Sequence, residues 1–183
     1  STMENPIPNS NNVAFKWSVI YVVIGIVITF AFQFLNVDPN SPAKYVGYVP
    51  FIIFLFIVQK EYKDKLGGYL SYGQGVGAGF KYALFGGIMM GVFVFIYLTW
   101  INPHMLDQAM ASQRDKLEAQ GLTDEQIDMS LGIATKYGAL FGFIGSILMD
   151  AFFGIILALI GAAIFKNERP MFSSNDYNEP EQS

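Results

Sequence analysis

The chain has 183 residues, of which 52% are hydrophobic and 14% charged. An ordinary soluble domain carries about 25% charged residues, so the composition is that of a membrane protein. The net charge of −4 leaves no basic footprint for nucleic acid, and the absence of cysteine excludes disulfides, thiolate metal sites and a cysteine nucleophile.

Residues 1–12 are polar and are expected to form a disordered tail ahead of a membrane domain over 13–166; residues 167–183 are expected to form a second tail. Crossing about 30 Å of hydrocarbon takes about 20 apolar residues in a helix. Four stretches meet or approach that length, at about 17–35, 43–59, 80–101 and 137–165. The first lacks a small-residue cleavage pattern and is expected to stay as an anchor. The second is short, but Ser41-Pro42 suits a helix start, its flanking lysines can snorkel, and Pro50 is expected to bend it.

The polar run Gln59–Lys65 that follows places Lys60/Asp64 and Glu61/Lys65 at helical spacing. It reads either as a solvated helix end whose Lys60, Lys63 and Lys65 touch anionic headgroups, or as a cytoplasmic docking site. Gly75-Val76-Gly77-Ala78-Gly79 follows no strand, so it is not a nucleotide loop. Phe80-Lys81-Tyr82 opens the third span as Phe15-Lys16-Trp17 opens the first, at an offset of 65, and Asn102-Pro103 echoes Asp38-Pro39 at 64. This reads as a tandem pair of helical hairpins. Lys81 is then an interface lysine like Lys16, or else a counter-ion for Asp150.

The segment 102–136 contains two amphipathic patterns. Asn102 suits an N-cap, Pro103 a first helical position and Gly121 a stop, while Thr123-Asp124-Glu125-Gln126 is a capping box. Two short helices are expected over the extracytoplasmic surface, either as a lid on the bundle or as a docking surface. His104, the only histidine, shares a helix face with Asp107; two ligands without a third make no metal centre.

The third span carries Gly79, Ala83, Gly87 and Gly91 at four-residue steps, and the fourth carries Gly142, Ser146, Asp150, Gly154 and Ala158. Lipid gives helices no hydrophobic reason to associate, so such stripes signal close helix packing. Asp150 lies on the stripe and therefore faces protein. An aspartate at the centre of a span costs about 3 kcal/mol on insertion scales, which the many apolar residues around it offset. Thr29, at similar depth on the first span, and Gln33, a turn further out, are its candidate partners.

The short-loop charges set the direction. Lys16, Lys60, Lys63, Lys65, Lys81, Lys166 and Arg169 lie on one side, and Lys44, Arg114, Lys116 and Lys136 on the other. Seven against four places both termini in the cytoplasm of a bacterial inner membrane.

Tyr62-Lys63-Asp64-Lys65, Gly67-Gly68-Tyr69-Leu70-Ser71-Tyr72-Gly73-Gln74, Ile101-Asn102-Pro103 and Thr123-Asp124-Glu125-Gln126-Ile127 together resemble the uncharacterised bacterial membrane family known as domain-of-unknown-function family four-one-nine-nine, typical of Bacteroidota. The resemblance spans about 13–166 and implies a four-helix inner-membrane protein without an assigned activity. It further implies an accessory subunit, since such proteins are encoded near a membrane-associated glycosyltransferase.

The sequence is therefore read as an all-α, four-span bundle with an outer helical hairpin, without catalytic residues, cofactor or metal. Its partners are the bilayer and another membrane protein or a second copy of itself. One reading is a non-enzymatic accessory or scaffold subunit that anchors or assists an envelope-glycan or lipid-linked glycosyltransferase. The other is a small proton-coupled carrier that uses Asp150.

Overall fold

A computed structural model describes residues 6–171. Regular structure over these residues is helical: α1 (Ser10–Phe34), a 3-10 segment (Pro42–Gly47), α2 (Tyr48–Lys65), α3 (Tyr72–Ile96), a π-helical segment (Tyr97–Ile101), α4 (His104–Ala119) and α5 (Asp124–Phe165). Four stretches, Ser10–Phe34, Pro42–Lys65, Tyr72–Ile101 and Asp124–Phe165, are long and apolar enough to cross a membrane. One end of the bundle gathers Lys16, Glu61 and Lys81, and the other carries α4; these are called the lysine-rich end and the hairpin end below.

Local chemistry explains most boundaries. Asn9 accepts from the Asn11 amide and opens α1 at Ser10, so Ser10–Asn12, expected in a tail, are helical. The remaining tail residues, 1–5 and 172–183, lie outside the described residues. Pro42–Gly47 is a 3-10 segment, and α2 starts only at Tyr48. Pro50 therefore sits in the first turn, where a missing N–H leaves no bond unmade, and not at an interior bend. Gly67 and Gly68, at φ +81° and +90°, turn the chain between α2 and α3, and their amides donate to the carbonyls of Asp64 and Lys63. Ser71 and Gln74 form a capping box that starts α3 eight residues before the expected span, so the glycine-rich stretch is helical.

The segment 102–136 also differs from expectation. Thr123 and Gln126 do form the capping box, and Gly121, at φ +83°, ends the chain's approach to it. Yet the helix so started never stops: α5 runs for 42 residues through the fourth span. The expected second short helix is thus the first three turns of α5, because no proline or cap interrupts the path from Asp124 to Tyr137. Asn102 caps nothing with its side chain; it donates to the Tyr97 hydroxyl instead (3.2 Å).

α3 is the central element. It packs along α5 on one side and α1 on the other, and α2 fills the space between them at the lysine-rich half. There Phe51, Leu55 and Val58 of α2 are buried against Tyr82 and Ala83 of α3, and Phe51 stacks on Tyr82 at 5.5 Å between ring centroids. Leu70 and Asn167 pair as a two-bond antiparallel bridge that ties the start of α3 to the end of α5.

Candidate functional site

The seam between α3 and α5 brings the small residues together. A methyl group on Gly79 would stand 2.8 Å from Ala158 Cβ, and one on Gly91 2.8 Å from the Phe143 carbonyl oxygen. Gly154 faces Ala83, and Gly142 faces Val94 and Leu98. A methyl on Gly87 would lie 3.1 Å from Asp150 Cβ and 3.2 Å from Ile147 Cα. The absence of a side chain at Gly87 is what lets Asp150 approach the backbone of α3.

Asp150 points across this seam towards α1, where the Tyr21 hydroxyl donates to its Oδ2 at 3.5 Å. The sequence reading missed Tyr21. It lies one helical turn from Trp17, and an aromatic near a span end reads first as part of an interfacial belt. The expected partners are otherwise engaged. Thr29 Oγ1 donates to the Gly25 carbonyl of its own helix (2.8 Å), a bond that β-hydroxyl side chains make readily within helices. Gln33 Oε1 accepts from the Tyr97 hydroxyl at 2.9 Å.

Asp150, Ser146 and Thr29 line one groove of about 550 Å³. Its walls are α1 and α5, its floor is Met90 and Val94 of α3, and Lys44 lies at its rim. The groove exists because α2 begins at Tyr48: towards the hairpin end no fourth helix stands between α1 and α5. Beyond Asp150, towards the lysine-rich end, Tyr21, Phe51 and Tyr82 fill the bundle with rings 5.3–6.1 Å apart. The Tyr82 hydroxyl is satisfied by the Phe51 carbonyl (2.9 Å).

Gln59 is a second polar feature that the sequence reading did not single out. It was placed in a solvated run, but it is 0% exposed. Its Nε2 donates to the Gly75 carbonyl of α3 (3.0 Å) and the Ala158 carbonyl of α5 (2.9 Å). Its Oε1 has no hydrogen-bond donor and rests against the Cα of Gly161. The two carbonyl partners fix the amide orientation, since a flipped amide would set oxygen against oxygen. One side chain thus joins three helices. The signal was present in the spacing: Leu55, Val58, Gln59 and Tyr62 share a helical face.

The lysines lie apart from Asp150. Lys81 Nζ donates to Ser10 Oγ at 3.0 Å, with no bond to Asp150. Lys60 pairs with Asp64 (2.7 Å), while Lys63 is half-buried and Lys65 exposed at the same helix end. Lys16 and Trp17 both donate to Glu61, which joins α1 to α2. At the hairpin end, Arg114 pairs with Asp128, joining α4 to α5. His104 Nδ1 and Asp107 Oδ2 are 3.8 Å apart and exposed, with no third metal ligand among the described residues.

Residues 16–167 match the family described as Protein of unknown function (DUF4199). The chain belongs to that family. The match runs from the first lysine of α1 to Asn167 of the bridge, so the DUF4199 region contains the α3–α5 seam, Gln59, the groove and the α4–α5 hairpin. Comparisons with curated proteins and with solved structures give no significant match.

Proposed function

We propose that this DUF4199 member is a non-enzymatic accessory subunit of a bacterial inner membrane, with both chain ends cytoplasmic and the α4–α5 hairpin on the outer face. In this reading the hairpin and the adjoining flank of α5 hold a second membrane protein. The observation that carries it is the length of α5. Its 42 residues make a rod about 63 Å long at 1.5 Å per residue, roughly twice the hydrocarbon thickness. Before Tyr137, in the part that extends past the span, Met129 is 67% and Ile133 56% exposed. Neither α4 nor the rest of the bundle covers them, and they continue into the lipid-facing residues Phe141, Leu148 and Phe152.

The seven-to-four lysine and arginine bias supports the orientation. The tandem-hairpin reading accords with α1 and α3, both 25 residues long. An envelope-glycan or lipid-linked glycosyltransferase is the partner class we favour. Extraction from native membranes in mild detergent, followed by native electrophoresis, tests the proposal. Co-migration with a second membrane protein is expected, and a lone monodisperse species counts against it.

The groove favours a second reading, a proton-coupled carrier. Asp150 lies where a groove from the hairpin end stops against closely packed rings, the arrangement expected of an intramembrane acid in a proton relay. Asp150→Asn keeps size and hydrogen bonding while removing the titration. If Asp150 serves packing, the variant keeps both its fold and its partner. A folded variant that retains its partner but loses a pH-driven solute flux, measured in proteoliposomes, decides for the carrier.

A further inference from the structure

The groove has a chemistry that neither reading of Asp150 uses. We infer that it binds a membrane phospholipid, with the phosphate on Lys44 and one acyl chain lying between α1 and α5 over α3. This goes beyond the accessory role and does not depend on it.

Three observations carry the inference. The first is shape. Gly47 and Gly145 line the groove, and a Cβ built on either meets nothing within 4 Å. These glycines differ from those of the seam, where a Cβ would strike α5 or α3. They border open space, and about 550 Å³ falls within the range of ligand-sized pockets. The second is the gradient along the groove. Its rim carries Lys44, its walls carry Ile28, Phe32 and Met149 over a floor of Met90, and Tyr48, whose ring meets that of Phe153, closes the inner end beside Asp150. A cation at the mouth of an apolar groove matches the order of a lipid, headgroup first and chain after. Methionine side chains adapt to a flexible occupant.

The third is charge. Lys44 makes no ion pair among the described residues; its ammonium group stands 5.1 Å from the Tyr45 ring. Asp38, which shares the adjoining cavity, instead accepts from the Asn40 amide at 2.9 Å. The rim therefore presents an unpaired positive charge, which a phosphate complements. Asp150 and Ser146 at the inner end are polar and mark where the apolar tail stops.

The test uses the full chain in nanodiscs that contain a phosphatidylglycerol analogue with a photoactivatable diazirine on its acyl chain. Adducts are mapped by peptide mass spectrometry. Groove residues Met90, Met149 and Ile28 should be labelled above the lipid-facing controls Val23 and Ile160. Lys44→Gln should lower the groove yield about fivefold, the worth of one lysine near a phosphate surface. Gly145→Leu should remove groove adducts and leave the controls unchanged, and Gly47→Ala should weaken them should the leucine variant fail to fold. Equal labelling of groove and control residues would overturn the inference, as would groove adducts that neither Lys44→Gln nor the glycine variants reduce. Labelling of the groove only by a water-soluble carbene reagent would also overturn it and show a solvent-filled path to Asp150.

Discussion

Gln59 shows how much one buried polar side chain can organise in this bundle. Its amide nitrogen holds carbonyls on α3 and α5, and its oxygen needs the bare Cα of Gly161 beside it. Gly161→Ala would put a methyl group onto that oxygen. The expected loss is about 1–3 kcal/mol, the usual range for overpacking. Because the closest clash is with Gln59 Oε1 while Phe56 Cδ1 lies at 2.8 Å, Gly161→Ala in a Gln59→Ala background should cost less than it does alone, the remainder coming from the Phe56 ring. A double-mutant cycle on thermal unfolding in detergent measures this coupling, expected within about 0.5–3 kcal/mol. Additive effects would show that the two residues do not meet. The polar character of Gln59 hid this role in the sequence, since a glutamine next to Lys60 and Glu61 looks like the start of a solvated end. Asp150 was easier to find because charge inside a span is rare; its partner Tyr21 was not, because an aromatic residue there has several ordinary explanations.

Among the elements, the α3–α5 seam dominates. Gly87→Leu inserts a large side chain where Asp150 and Ile147 touch the backbone, whereas Val92, 46% exposed, points away from α5. Gly87→Leu should lower stability by about 1–3 kcal/mol and Val92→Leu by much less. Equal unfolding temperatures in detergent would mean that Gly87 does not mark a contact. The four-residue spacing made the seam's small residues visible in the sequence, because close backbone approach leaves few other uses for so many of them. Helix ends were less legible. The glycine-rich start of α3 has low intrinsic helix propensity; the Ser71–Gln74 capping box and the packing of Gly75 and Gly79 on Ala162 and Ala158 favour it. Similarly, the capping box and the fourth span were each recognisable, but their fusion into α5 follows from the lack of any interruption between them. The groove was not legible at all: it arises from where α2 begins relative to its neighbours, which no single segment encodes.

At the scale of the whole molecule, the proposal joins orientation to use. The chain lacks cysteine, so single cysteines report topology cleanly. Ser112→Cys on α4 should react with an impermeant thiol reagent once the outer membrane is permeabilised, and Gly73→Cys, on the exposed start of α3, only after the inner membrane is lysed. The reverse pattern would invert the proposed orientation. In the proposed orientation the apolar flank of α5 and the hairpin meet the partner from outside. The most direct test of that central claim is a photoreactive amino acid placed at Ile133, irradiated in native membranes, with a matched probe at the exposed Lys60 position of the opposite end. An adduct with a second membrane protein is expected from Ile133 and not from Lys60. No adduct from Ile133, or a product containing only two copies of this chain, would contradict the claim.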